Sequence, residues 1–147
     1  MSRKSAVYLN DESIAIIEAG GVKSYDGIVE VSVSGRINAI LARYDRLVRE
    51  HAPELTLVEW CAICDANNGT ILDDIPQSVS YMWANVADCE GLGEKWGIDQ
   101  ERLISIMRSW GYAQQIACAE IVQRFWSDTS RNDNEAWLTE VGAKIRK

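Results

Sequence analysis

Trp60-Cys61-Ala62-Ile63-Cys64 is the first place in this chain where residue types and spacing could do chemistry. The order matches the WCxxC of thioredoxin-like oxidoreductases, whose first thiolate sits where a strand opens into a helix. Here both cysteines fall well inside a helical pattern and on its apolar stripe, beside Glu59 and Asp65. Those carboxylates disfavour a thiolate, so the pair reads as small buried hydrophobes. The intervals from Cys61 through Cys64 and Cys89 to Cys118 do not form paired zinc knuckles. His51, the single histidine, closes a helix among charged residues and reads as a solvated helix end. Asp65-Ala66-Asn67-Asn68-Gly69 opens like a calcium loop but lacks the later glycine and closing glutamate. A helix end with Gly69 in the left-handed region explains it better. Asp73-Asp74 ahead of Pro76 reads as a turn and cap. With no phosphate-binding glycine loop, nucleophile elbow or HExxH, the expectation is a protein that is not an enzyme, with no cofactor and no metal.

The 147 residues, 47% hydrophobic and 25% charged, have an ordinary globular composition. Six tryptophans supply packing anchors or, where exposed, a contact surface. The net charge of −7 is unevenly spread. Residues 1–50 carry seven basic and seven acidic side chains, and residues 101–147 carry seven and six. Residues 51–100 hold one lysine, Lys95, against nine carboxylates, a balance of −8. A neutral, arginine-bearing first third can approach a polyanion, whereas the middle repels one and suits a basic protein surface. Met1 to Asn10 has no continuous apolar core, and no run reaches the roughly 18 residues that span a bilayer. The cysteine spacing is not that of a secreted disulfide framework. These features point to a cytoplasmic protein with reduced thiols and no membrane partner.

Several elements must position any site. The longest helical pattern is Ser34 to Glu50, with Ile37, Ile40, Leu41, Tyr44, Leu47 and Val48 on one stripe, Ser34 able to cap it and Pro53 stopping it. Before it, Arg3 to Leu9 alternates as a strand, and Asn10 or Asp11 can cap a short helix that Gly20-Gly21 ends. Val29, Val31 and Val33 form a second candidate strand. After Pro53, Thr56 and Glu59 form a capping box for a helix carrying Leu57, Trp60, Cys61 and Cys64. Pro76 sits near the start of the next, with Val79, Met82, Trp83 and Val86 inward. Glu90 to Gly97 reads as a loop around Trp96. Asp99 caps a helix carrying Leu103, Ile106, Met107 and Trp110, which Gly111 interrupts before Tyr112 to Trp126. A closing helix over Glu135 to Lys147 turns Leu138, Val141 and Ile145 inward. The expectation is a mainly α fold, with N-terminal short strands followed by a bundle of about six or seven helices. Residues 1–52 form one region and the acidic residues 53–147 the other.

VYLNDESIAII and SGRINAILARY resemble the strand, first helix and second helix of the ribbon-helix-helix DNA-binding family, over about residues 3–50. The resemblance implies a homodimer whose paired strands enter the major groove of double-stranded DNA. It implies Lys4, Ala6 and Tyr8 on the reading face and Ser34, Gly35 and Arg36 at a phosphate, as helix-end electrostatics also favour. Alternatively, the second candidate strand pairs with Arg3 to Leu9 inside one chain, giving a β-hairpin packed on the long helix.

The overall look of the chain, including EWCAICDANNGT and GLGEKWGID, is similar to uncharacterised proteins from bacterial mobile elements, a likeness that names no activity. The acidic 51–100 region suits a second function, an acidic phage or plasmid module that occupies the basic surface of a partner such as a host nuclease or CRISPR complex. Its contact residues would be Asp73, Asp74, Asp88, Glu90 and Glu94, near Trp60, Trp83 and Trp96.

Overall fold

A computed structural model describes residues 9–19, 33–69 and 75–147. Among them are eight helices and two three-residue strands, so the protein is mainly α. The chain divides into two compact units, Met1–Tyr44 and Asp45–Lys147. Residues 3–8 and 29–32 of the candidate strands lie outside the described residues, and Leu9 is not in a strand.

In the first unit, α1 spans Asp11–Ala19. Asn10 caps it, its Oδ1 accepting from Ser13 N–H at 2.8 Å and its carbonyl from Ile14 N–H at 3.0 Å. The long helix α2 spans Val33–His51, ending two residues short of Pro53. It starts one residue ahead of Ser34, so Ser34 belongs to its first turn rather than capping it, and Val33 is helical rather than the end of a strand. Leu9, Ser13, Ile16 and Ile17 face Ile37, Ile40 and Leu41 across an apolar cleft of about 220 Å³.

The second unit takes in the last turns of α2 from Asp45, then β1 (Glu54–Thr56), α3 (Leu57–Ala66) and α4 (Ile75–Asp88). It continues through α5 (Leu92–Trp96), α6 (Gln100–Ser109), α7 (Tyr112–Ser127), α8 (Asn134–Val141) and β2 (Lys144–Arg146). The capping box forms as its spacing requires: Glu59 N–H donates to Thr56 Oγ1 at 3.3 Å, and Thr56 N–H donates to Glu59 Oε2 at 2.9 Å. With its start fixed, α3 can be apolar almost all round. Trp60 through Cys64 are all buried, and the helix packs against α4, α5 and α7. Asn67 caps its far end from the core, donating to Ile63 O and accepting from Asn85 Nδ2, each at 2.8 Å. Trp126 Nε1 donates to Cys64 O at 2.9 Å, satisfying another carbonyl of the last turn. Asp99 caps α6 through Arg102 N–H, and α7 contributes Ala117, Cys118, Ala119, Ile121, Val122 and Phe125 to the core.

Two further expectations are overturned. The expected closing helix stops at Val141, where Gly142 takes φ +118° and the N–H groups of Gly142 and Ala143 return to the carbonyls of the last turn. Lys144–Arg146 then runs parallel to β1, with Glu54, Leu55 and Thr56 opposite Lys144, Ile145 and Arg146. Parallel strands need a long crossover, and here it is the helical body from α3 to α8. Trp60, fully buried, fastens this closure by donating from Nε1 to Lys144 O at 3.0 Å.

Residues 90–97 are likewise not all loop. Leu92–Trp96 forms one helical turn between Gly91 and Gly97, both at positive φ. Gln100 holds it in place, its Nε2 donating to Val86 O and Cys89 O while Oε1 accepts from Gly93 N–H. Gly93 must be small, because a Cβ there would lie 2.9 Å from Ile98 O.

Candidate nucleic-acid interface

Ser34, Gly35 and Arg36 come together on the first turn of α2. The partial positive charge at such a turn favours an anion. The first turn carries no carboxylate. Ser34 is exposed, Gly35 and Arg36 half-buried. Among the described residues, the buried Arg36 Nε has no hydrogen-bond partner. Arg43, seven residues on, lies on the same side of the helix and is exposed. From Val33 to Tyr44 the helix carries these two arginines and no acidic residue, whereas α1 carries Asp11, Glu12 and Glu18 and no basic one. Lys4, Ala6 and Tyr8 lie outside the described residues.

The same unit leaves apolar surface open. Ile16 is 57% exposed and Leu41 58%, both on the rim of the α1–α2 cleft, and Ile14 is also exposed. The periodicity of α2 announced this stripe. Which part of it stays uncovered is not legible from periodicity.

Asp88 ends α4, Glu90 lies in the following turn and Glu94 in α5, all three exposed. Asp73 and Asp74 lie outside the described residues. Sequence reading missed Glu101 and used Asp99 only as a cap, yet both line the same open depression as Glu94, with Gly91, Gly93 and Gly97 beneath. Their proximity to Glu94 in sequence was the available signal.

The remaining chemical candidates serve the fold. Cys61, Cys64 and Cys118 are buried free thiols. Burial pushes all three thiols up, and Cys64 is raised further by Cys118 and Cys61 beside it. They are therefore protonated core side chains at neutral pH. Asp65 Oδ2 accepts from Lys95 Nζ at 2.6 Å and from Trp96 Nε1 at 2.9 Å, tying α3 to α5. The Lys95 hydrogen bond, with that of Trp96, holds its carboxyl below the usual range. Gly69 takes φ +80°, as a helix-end glycine should. His51 is exposed at the last position of α2. No group of three or more metal-binding side chains occurs among the described residues, nor is any helix there long and apolar enough to cross a membrane.

Comparison of the chain with models of protein families, with curated proteins and with solved structures finds no match.

Proposed function

We propose that the protein is a DNA-binding regulator acting as a homodimer, with a ribbon-helix-helix unit at its N-terminus. The observation that carries the reading is the α1–α2 pair, whose apolar cleft is rimmed by exposed Ile16 and Leu41. Units near 44 residues commonly complete their core by association. A second copy laid over the cleft would cover these side chains. Each large aliphatic side chain fully buried contributes about 1.5–3 kcal/mol. Charge favours the same partner: acidic α1 of one copy complements exposed Arg43 on α2 of the other. The paired strands then present Lys4, Ala6 and Tyr8 to base edges, while Ser34, Gly35 and Arg36 hold a phosphate. The test is fluorescence anisotropy on a pool of random duplexes across a salt series. Binding that weakens steeply with salt, and is lost in Lys4→Ala and Arg36→Ala, supports the reading; salt-independent or absent binding overturns it.

A second reading rests on Asp88, Glu90 and Glu94. All are exposed, and none forms an ion pair with another described residue. In this reading the C-terminal unit is an acidic module from a mobile element that occupies a basic partner surface, such as the nucleic-acid site of a host nuclease or CRISPR complex. In this reading the protein binds no DNA, and Asp73→Lys with Asp74→Lys abolishes partner binding.

A further inference from the structure

We draw no further inference here: the strongest candidate, the exposed carboxylate cluster of Asp88, Glu90, Glu94, Asp99 and Glu101 around the α5 turn, is an acidic cluster with no second observation that points to a ligand.

Discussion

Asp45 Oδ1 accepts from Arg124 Nη1 at 2.7 Å, joining α2 to α7 across 79 residues of sequence. The pair is the centre of a wider clasp. Arg124 also donates from Nε to Glu120 Oε1 at 3.1 Å and from Nη1 to Val141 O at 3.0 Å. Arg49 donates from Nε to Asp45 Oδ2 at 2.9 Å and from Nη2 to Glu140 O at 2.8 Å. Buried Val48 gives this stretch of α2 an apolar contact beneath the polar one.

The clasp makes stability depend on acid. The hydrogen bond from Arg49, aided by Arg124, holds the Asp45 carboxyl below its ordinary 3.8. A carboxyl depressed in the folded state stabilises the fold above its unfolded pKa, and that contribution is lost as pH falls through the folded value. Asp45 is 42% exposed, so solvent screening limits the effect. Asp45→Asn is expected to cost about 0.5–1 kcal/mol at pH 7 in urea unfolding. The gap from wild type should narrow as pH falls below the usual carboxylate range. A gap that persists unchanged at pH 2.5 would assign the cost to packing instead.

Trp60 should be the most sensitive position of the second unit. Trp60→Ala removes the largest fully buried side chain and its bond to Lys144 O, and is expected to cost about 3–5 kcal/mol. Trp60→Phe keeps much of the volume and leaves the Lys144 carbonyl without its indole donor, so it should cost less. Thermal unfolding of the two variants would rank them. Equal Tm values would contradict the burial of the Trp60 side chain in the core.

That closure shows where sequence reading stops. The stripes of α3 and α6, and the inward places of Met82 and Val86 in α4, were legible because helical burial repeats every three to four residues, within one local window. The Thr56–Glu59 box and the Asp99 cap were legible for the same reason. Strands β1 and β2 are three residues each and acquire meaning only from one another, about ninety positions apart. Leu138, Val141 and Ile145 fit a helical spacing, yet Gly142 ends the helix and Ile145 sits at the middle of a strand. The glycine was the signal, and the apolar spacing outweighed it. The α5 turn depends on Gln100, whose bonds to Val86, Cys89 and Gly93 are tertiary. For the candidate interface, sequence placed Ser34, Gly35 and Arg36 at a helix start, but exposure at Ile16 and Leu41 follows from three-dimensional packing.

The thiols offer a labelling test. In the native protein, Cys61, Cys64 and Cys118 are buried and protonated, whereas Cys89 is half-buried at the end of α4. Iodoacetamide at pH 8 is expected to modify Cys89 first, the other three following only on unfolding. Mass spectrometry of peptides would read the order. Rapid native labelling of Cys64 would contradict its place in the core.

Arg36 should report on phosphate contact. Under the proposed function, Arg36→Ala is expected to weaken binding to all duplexes about equally and to flatten the dependence of log K on log salt by about one unit. A change confined to one operator sequence would instead place Arg36 at a base edge.

The decisive measurement is the association state. Leu41 is largely exposed in the single chain, so Leu41→Glu costs that chain little while placing a charge in the middle of the proposed dimer contact. We would measure solution mass by light scattering at a few micromolar for wild type, Leu41→Glu and Val7→Pro, with helix content followed by circular dichroism. The expected result is a wild-type dimer, and variants that become monomeric with the helices of the second unit intact. A wild-type monomer would contradict it.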